Sequence, residues 1–393
     1  MQKVMLRWQA GTLSGWGLLG LNLFEQWASD PDIQPLMGVP LALRDFPGTS
    51  PLRFVTMQNE MIRSNRFIEG LRTGEAGLRD QSVLVIDGFG DNLCPIAPQP
   101  AQMGIRNIAR CIFEQLRINS TQPIAQYDVV LCASNWAAQF LQSVTEKPVT
   151  MIHEGIDHSL FFPGPRSGVM DPECFYVFSG GKIEYRKAQD LVVAAFREFS
   201  ARHDDAVLVT AWNSPWPPEW SAGLQGSLRA PLRLNENGQL LIREWVEANG
   251  IKSHQFIELP LTANSLMPAV LREMDCALQV SRCEACTSLP AMEAMACGVP
   301  VILPNNTGMK DLISEDNCVP LNSQGRVRGP SDLYTSGWGE SHVDEIVAAL
   351  ELMYMDTERR KRIGARGAQW MLEHRRTWRD HAADLKSFIQ ALA

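Results

Sequence analysis

A repeating order of short apolar runs, polar or glycine-rich turns and amphipathic segments constrains the fold of this chain more than any other feature. Mainly apolar runs of three or four residues begin at positions 4, 83, 129, 149, 175 and 301. Runs of this length are typical of buried strands, and their alternation with helical segments predicts parallel sheets flanked by helices. Since 393 residues are too many for one hydrophobic core, two domains are expected.

The best candidate for the linker between the two domains is the turn-rich segment 163–168, PGPRSG. Serine 134 is expected to cap a helix after the strand at 129–132. Apolar residues at helical spacing between 191 and 199 predict a helix with one buried face. The chain is expected to finish with amphipathic helices over 343–355 and 359–375 and a last helix from residue 378.

Composition excludes several classes of protein. The formal net charge of −8 argues against sequence-independent binding to nucleic acid, which needs a positive face. The chain contains no run of about 18 apolar residues, so no membrane-spanning helix is expected. The basic and aromatic segment 375–378 is compatible with peripheral attachment to a membrane. The first residues, MQKVMLRWQAGTLSG, resemble a strand rather than a signal peptide.

Nine scattered cysteines are expected to be free thiols in a reducing cytoplasm. Cys283 and Cys286 form a lone CxxC motif with no second pair at the spacing of a zinc site. We therefore interpret them as small residues of a packed turn, and we expect neither a metal nor a cofactor.

The segment 179–187, SGGKIEYRK, is predicted to bind an anion. It follows an apolar run and precedes a helical segment, so backbone N–H groups near Gly181 and the helix dipole would face the same ligand. Lys182, Arg186 and Lys187 add three positive charges, which suit a departing nucleoside diphosphate. The alternative interpretation is a basic turn exposed to solvent.

A second segment, residues 281–301, opens a short helix. Thr287 or Ser288 is expected to cap it, because Pro290 is tolerated in a first helical turn. The N–H groups near Ser288 and Leu289 would then face phosphate oxygens. The same segment can therefore hold the anionic end of a nucleotide.

Two carboxylates flank that helix start. Glu293 lies about one turn into the helix, where it can accept hydrogen bonds from two ribose hydroxyls. Glu284 precedes the turn and can accept from the hydroxyls of a sugar. Each hydrogen bond to a charged acceptor contributes roughly 1.5–3 kcal/mol. The alternative is a pair of surface glutamates, which the apolar neighbours of Glu293 disfavour.

The combination of GGKIEYRKAQDL at 180–191 with SRCEACTSLPAMEAMACGVPVI at 281–302 resembles the family 4 retaining glycosyltransferases, also called group 1 glycosyl transferases. HEGIDHSLFFP at 153–163 and NTG at 306–308 resemble two further segments of that family. The resemblance covers about residues 150–315.

The resemblance implies an α/β fold of GT-B architecture, with two Rossmann-like, doubly wound lobes facing a central cleft. Residues 1–165 would form the acceptor-side lobe and 166–377 the donor-side lobe, with a terminal helix over 378–393 packing back on the first. The activity would be metal-independent, retaining transfer of a sugar from a nucleotide-sugar donor to a hydroxyl of a glycan, lipid or small molecule.

The resemblance also implies roles for single residues. Lys182 and Lys187 match the basic pair that holds the donor diphosphate. Glu284 matches the glutamate that contacts the donor sugar, and Glu293 matches the one that contacts ribose.

The glycine-rich segment 11–20 is predicted to be a loop that enters a helix. The resemblance implies that Gly15 and Gly17 approach the donor phosphates and the acceptor. Taken alone, the segment also contains GxGxxG, so a nicotinamide dinucleotide is an alternative ligand, but the acidic residue expected about 20 positions later is missing.

This chain departs from the family in three ways. Eight residues separate the two glutamates instead of seven, and Lys182 replaces the more common arginine, which removes bidentate phosphate geometry. No histidine precedes His153, whereas many members carry one after a central strand of the first lobe. Asp87 is the nearest polar candidate for that catalytic position.

Because of Asp87, a non-catalytic protein that binds carbohydrate or a nucleotide sugar is a second hypothesis. An epimerase or a phosphorylase on the same scaffold is a third. Trp212, Trp216 and Trp220, in a long loop over 212–240, would either stack on a sugar or base or anchor the loop itself.

Overall fold

A computed structural model describes residues 1–97, 102–213, 224, 228–328 and 334–392. The chain forms two compact units. Unit 1 comprises Met1–Asp157, Ala263–Ser265 and Arg375–Ala393, and unit 2 comprises His158–Thr262 and Leu266–His374. The chain thus leaves unit 1 after Asp157, before the turn-rich segment 163–168 in which the linker is expected.

Unit 1 is built on a parallel six-stranded sheet flanked by helices. Its elements begin with β1 (Gln2–Arg7), α1 (Gly15–Ala28), β2 (Ile33–Met37), α2 (Pro51–Thr73), β3 (Val83–Phe89), β4 (Arg106–Cys111), β5 (Val129–Cys132), α3 (Asn135–Val144) and β6 (Val149–Met151). The strand order is β2-β1-β3-β4-β5-β6. The order reverses between β1 and β3, where doubly wound sheets leave a crevice at the carboxyl ends of their strands.

Local sequence explains these elements. All seven residues of β3 are buried, because parallel strands inside such a sheet are covered on both faces. Strand β2 contains Pro35 and lies at the sheet edge, where a missing N–H is tolerated. The Ser134 side chain accepts a hydrogen bond from the N–H of Ala137, which confirms the predicted cap of α3.

Unit 2 is built on a second parallel six-stranded sheet, of order β12-β11-β10-β7-β8-β9. Its elements are β7 (Phe175–Lys182), α4 (Gln189–Ser200), β8 (Ala206–Asn213), α5 (Ile242–Ala248), β9 (Phe256–Glu258), α6 (Met267–Leu271), β10 (Cys276–Leu278), α7 (Leu289–Ala296), β11 (Val301–Pro304), β12 (Val319–Leu321), β13 (Gln324–Gly325), β14 (Glu340–Ser341), α8 (Val343–Met355) and α9 (Thr357–Glu373). Strands β13 and β14 form a separate antiparallel pair.

The core of unit 2 forms around the predicted stripe of α4. Leu191, Val192, Ala195, Phe196 and Phe199 are all buried, which confirms the predicted buried face. They pack with apolar side chains of β7, β8 and α8. The sheet thereby receives a rigid helical layer behind its central strands.

The last helix, α10 (Trp378–Leu392), packs within unit 1 against α1. The Trp27 Nε1 donates to the Ala382 carbonyl at 3.3 Å, and Lys386 pairs with Asp30 at 2.8 Å. Gly155 lies directly against Thr377, where a Cβ would come within 2.2 Å of the Thr377 carbonyl carbon. Only glycine permits this approach of the two segments.

Residues 214–223 and 225–227 of the predicted loop over 212–240 lie outside the described residues, and Trp216 and Trp220 are among them. Trp212 is the penultimate residue of β8 and is 1% exposed, and its Nε1 donates to Ser179 Oγ at 3.2 Å. This tryptophan therefore supports the sheet and is not a stacking platform. In the part of the chain that the structure describes, no helix has both the length and the apolar character that crossing a bilayer requires.

Candidate active site

Gly180 and Gly181, which were expected to follow a strand, belong to that strand. Strand β7 continues through Gly180 and Gly181 to Lys182, and Gly181 is in register with Trp212 of β8. The expectation that the strand ends before residue 179 was wrong, because β8 extends equally far and keeps the glycines in the ladder. Gly181 still needs to be glycine, since its φ of +124° is disfavoured for other residues.

The basic residues after β7 turn toward Glu284. Tyr185–Lys187 forms one turn of 3-10 helix, and Ala188 follows with a φ of +58°. Lys187 Nζ lies 2.6 Å from Glu284 Oε1, and Arg186 Nη1 lies 3.0 Å from Glu284 Oε2. Both oxygens of this carboxylate therefore meet cations from a segment that is about a hundred residues distant in sequence.

A second carboxylate, Glu184, completes the cluster. Its side chain lies 2.7 Å from Arg186 Nε and 3.4 Å from Lys182 Nζ, and the residue is 3% exposed. Burial would raise the pKa of Glu184, but the neighbouring charges lower it, so it is ionised. Sequence reasoning missed this residue, although its position between basic residues is a usable signal.

The cluster carries one net positive charge, because three cations face two carboxylates. Burial would raise the pKa of Glu284, but the charges of Lys187 and Arg186 and hydrogen bonds from Lys187 and Ser281 lower it to about 2. The carboxylate is therefore ionised at neutral pH and can accept further hydrogen bonds. An anion entering this cluster would meet an excess of positive charge.

The depressed pKa of Glu284 predicts a specific pH dependence of stability. Because the pKa falls from its ordinary value of 4.5 to about 2 on folding, the ion pairs stabilise the fold above pH 4.5 and lose this effect as pH falls towards 2. The contribution is on the order of 3 kcal/mol at neutral pH. We expect Glu284→Gln to lower the free energy of unfolding in urea clearly at pH 7 and much less near pH 3.

The matched control is Glu358→Gln, since that side chain is 86% exposed and its ion pair is with the exposed Lys361. It should leave the free energy of unfolding nearly unchanged at either pH. A constant difference between wild type and Glu284→Gln across this pH range would contradict the pairing of Glu284 with Lys187 and Arg186.

The backbone of Glu284 is held by the turn after β11. Its N–H donates to Thr307 Oγ1 at 3.0 Å, and its carbonyl accepts from the Gly308 N–H at 3.0 Å. Thr307 has a φ of +37°, an unusual conformation for a β-branched residue. Asn306 fixes the same turn by donating to the Ser281 carbonyl at 3.1 Å. The segment 306–308 therefore positions the carboxylate.

Arg282 joins the basic and acidic segments. Its N–H donates to the Arg186 carbonyl at 2.7 Å. Its buried guanidinium forms a bidentate pair with Asp190 at 2.9 and 2.7 Å and stacks on the Tyr185 ring at 4.2 Å. Neither Arg282 nor Asp190 was identified from sequence, because nothing local predicts that residues 92 positions apart form a pair.

Helix α7 begins as the capping residues predict. Of the two candidates, Ser288 is the cap, and its Oγ accepts from the Ala291 N–H at 3.4 Å. Thr287 instead donates to Met292 Sδ at 3.3 Å. The first turn starts at Leu289 with a proline next to it. The helix dipole at this end favours an anion.

Glu293 lies in the second turn of α7 and is 7% exposed. It belongs to unit 2, like Lys182, Arg186, Lys187 and Glu284. Its ribose-binding role stays a prediction.

In unit 1, the glycine-rich segment is mostly helical. Helix α1 starts at Gly15, so Gly15 and Gly17 lie in its first turn and not in the predicted loop. Ser14 caps the helix by accepting from the Gly17 N–H at 3.1 Å. A Cβ on Gly17 would lie 2.9 Å from the Gly11 carbonyl oxygen, so glycine allows the preceding turn to fold against the helix.

Asp87 is placed differently from the prediction. It lies within β3, is 2% exposed, and accepts from Arg7 Nε at 2.6 Å and from the Tyr127 hydroxyl. Burial and the bond to Asp87 raise the pKa of Tyr127. Because both oxygens are occupied by protein donors, this placement favours a structural role for Asp87 over the catalytic role expected from sequence.

Two other predictions concern cysteines and the basic segment. All nine cysteines are free, and Cys283 and Cys286 are buried. The described residues contain no group of three or more His, Cys, Asp or Glu arranged to hold a metal ion.

In the segment 375–378, Arg376 and Trp378 are each 4% exposed, so this segment does not offer the basic and aromatic surface expected from its sequence.

Comparison with known proteins identifies the family of this chain. The family described as "Glycosyl transferases group 1" matches residues 166–370, more than half of the chain. The chain belongs to this family of retaining glycosyltransferases, which use nucleotide-sugar donors. No curated protein matches the chain in sequence.

Solved structures agree on the architecture. Sucrose-phosphate synthase from Thermosynechococcus elongatus has a TM-score of 0.67 at 14% identity, over 100% of this chain and 99% of that one. HepE from Anabaena, in complex with UDP-glucose, has a TM-score of 0.64 at 12% identity, over 100% of both chains. A glycosyltransferase from Rickettsia africae has a TM-score of 0.62 at 10% identity, over 98% and 97%. These matches confirm the predicted GT-B fold.

Proposed function

We propose that the enzyme moves a sugar from a nucleoside diphosphate to an acceptor hydroxyl, and that unit 2 binds the donor. The observation that carries the proposal is the contact of Lys187 and Arg186 with Glu284, which lies just before α7. The cations and the helix dipole would hold the diphosphate. Glu284 would bind the sugar and Glu293 the ribose.

Lys187 can contact Glu284 and the donor diphosphate at the same time. An ammonium has three donors, so Lys187 can keep its 2.6 Å contact with Glu284 and still donate to a phosphate oxygen. Glu284 in turn accepts from Ser281 at 2.7 Å, which fixes its orientation. The pair would therefore place the sugar and the diphosphate at a set distance before the reaction begins.

The proposed reaction breaks the bond between the anomeric carbon and the diphosphate oxygen, and the electron pair leaves with the diphosphate. The acceptor oxygen forms the new bond on the same face, and its proton passes to the departing diphosphate. Lys182, Arg186 and Lys187 stabilise the charge that develops on the leaving group. No side chain of unit 1 is required as a base.

Uridine diphosphate sugars are the first donors to test. HepE has been solved with UDP-glucose, and a pneumococcal O-GlcNAc transferase with a TM-score of 0.55 has been solved with UDP and GlcNAc. We propose the same class of donor here. The acceptor would be a carbohydrate or other hydroxyl compound at the carboxyl ends of β1 and β3, where the strand order of unit 1 reverses.

The buried position of Asp87 favours one rival, a protein that binds the donor without transferring its sugar. The two functions differ in donor consumption. Purified enzyme with a UDP-sugar and a panel of acceptors should release UDP if transfer occurs, whereas a binding protein should release none. The nine free cysteines support action in a reducing compartment, and we propose the cytoplasm.

The donor site can be tested by thermal unfolding with a series of nucleoside diphosphates. We expect one of them, UDP first, to raise the melting temperature by about 5 °C or more at about 100 times its Kd, because it binds only the native state. Arg186→Ala should reduce this rise strongly. Arg202→Ala, which removes a 53% exposed arginine of the same unit, should not. Equal shifts in all three proteins would contradict the assigned site.

A further inference from the structure

A short segment of unit 2, residues 338–340, contacts three segments on which the charged cluster depends. We call it the WGE segment after its sequence, and its last residue is the first of β14. The three segments are 185–187, which carries two of the cations, 281–284, which carries Glu284, and 306–308, which holds the Glu284 backbone. The WGE segment can therefore control how these three are arranged.

The backbone of Gly339 joins two of the three segments. Its N–H donates to the Arg282 carbonyl at 3.0 Å, and its carbonyl accepts from Asn306 Nδ2 at 3.0 Å. A Cβ on Gly339 would lie 2.9 Å from the Asn306 Cβ. The segments thus approach each other as closely as glycine allows.

The side chains on either side of Gly339 reach the same region. Glu340 Oε2 accepts from Arg282 Nε at 2.5 Å. The Trp338 and Tyr185 rings lie 6.4 Å apart between centroids, and the Tyr185 carbonyl accepts from Arg282 Nη1 at 2.8 Å. Backbone and side chains of the WGE segment therefore meet at Arg282.

Arg282 connects Glu340 to the charged cluster. Its N–H donates to the Arg186 carbonyl at 2.7 Å, and Glu284 follows two residues later in the chain. The guanidinium is 2% exposed and uses Nη1 and Nη2 for its pair with Asp190, so Nε remains for Glu340. The orientation of this one arginine therefore affects both the basic and the acidic segment.

We propose that Glu340 is a positioning residue for sugar transfer. By holding Arg282, it keeps the cations and the carboxylate of the cluster in the arrangement that the reaction needs. Small displacements of reacting groups lower the rate strongly, because transfer requires close alignment. The effect on turnover rests on the proposed function, whereas the effect on the arrangement of the cluster does not.

Glu340→Ala is expected to lower kcat about ten-fold and to leave the acceptor KM within about two-fold of wild type. The variant should fold, since Glu340 is 31% exposed and Arg282 keeps its pair with Asp190. Glu340→Gln retains an oxygen that accepts from Arg282 Nε, so its kcat should stay within about three-fold of wild type. Initial rates of UDP release at varied donor and acceptor concentrations would measure both parameters.

The matched control is Glu247→Ala, because Glu247 lies in the same unit, is 37% exposed and pairs with Arg243 at 3.5 Å. It should change neither kcat nor KM. An unchanged kcat in Glu340→Ala, or equal losses in Glu340→Ala and Glu340→Gln, would overturn the proposal.

A role through the cluster also predicts effects that are not additive, which an independent contribution of Glu340 to stability would not give. In a Lys187→Ala background, Glu340→Ala should cost less than about two-fold in kcat, because the cation that it helps to position is absent. A further loss of about ten-fold in that background would contradict the role.

Urea unfolding tests the same coupling without turnover. The factor by which Glu340→Ala raises the unfolding equilibrium constant should be at least about three-fold smaller in a Glu284→Gln background than in wild type. Glu247→Ala should raise it equally in both. If wild type releases no nucleoside diphosphate from any donor, the proposed function fails, and this coupling alone decides the role of Glu340. Equal factors for Glu340→Ala in the two backgrounds would exclude that role.

Discussion

Replacement of Lys187 by alanine is expected to lower kcat by about 10²–10³-fold while the KM for the acceptor changes little. The physical reason is that the charge on the leaving diphosphate grows as the bond to the sugar breaks, so a cation fixed beside it stabilises the transition state more than the bound donor. Lys187 is fixed by its 2.6 Å contact with Glu284. Initial rates at varied donor and acceptor concentrations would measure both parameters.

Lys252→Ala is the control for this experiment. Lys252 lies in the same unit, is 59% exposed and pairs with the exposed Asp204, so its loss should change neither kcat nor KM. Glu284 keeps Arg186 and Ser281 as partners in the Lys187 variant, and urea unfolding would verify that the fold is retained. If acceptor KM rose as much as kcat fell, Lys187 would contribute to acceptor binding and the assignment to the leaving group would fail.

Replacement of Gly308 by alanine is expected to destabilise unit 2 by about 3 kcal/mol and to abolish most of the activity. A Cβ at this position would lie 1.5 Å from the Cys286 carbonyl oxygen and 2.8 Å from that of Glu284. Both are backbone atoms, so the segment that carries Glu284 must move. The hydrogen bond from the Gly308 N–H to the Glu284 carbonyl would be lost with it.

Urea unfolding and donor turnover of Gly308→Ala should be compared with Gly325→Ala. Gly325 lies in β13 of the same unit, and a Cβ there would meet its nearest atoms at 3.5 Å, an ordinary contact. The control should remain within about 0.5 kcal/mol of wild type. Similar losses in the two variants would mean that steric crowding at Gly308 does not control the position of Glu284.

The parts of the fold that were predictable have strong local signals. Strands β3, β5 and β7 each contain a run of four apolar residues, and α4 has a clear buried stripe, so the hydrophobic pattern alone identified these elements. Helix α2 was not predicted. Its apolar residues lie on both its buried and its exposed side, which hides the helical period.

Glycines misled the prediction twice, for related reasons. Gly15 and Gly17 suggested a loop but lie in α1, where close packing against the preceding turn requires glycine at position 17. Gly181 was expected to follow a strand but lies within β7, where the neighbouring strand β8 keeps it paired. In both places glycine permits a close approach or a positive φ inside a regular element, which local sequence does not distinguish from a break in that element.

By itself, the sequence determined the class of the protein and the two segments that carry its charged groups, because these are local patterns of residues at short spacing. Only the tertiary structure decided that Lys187 meets Glu284 across 97 residues and that Asp87 is held by Arg7 across 80. The spatial partner of a charged side chain depends on which strands become neighbours in the sheet. That order is set by the packing of the whole unit, and no short segment contains it.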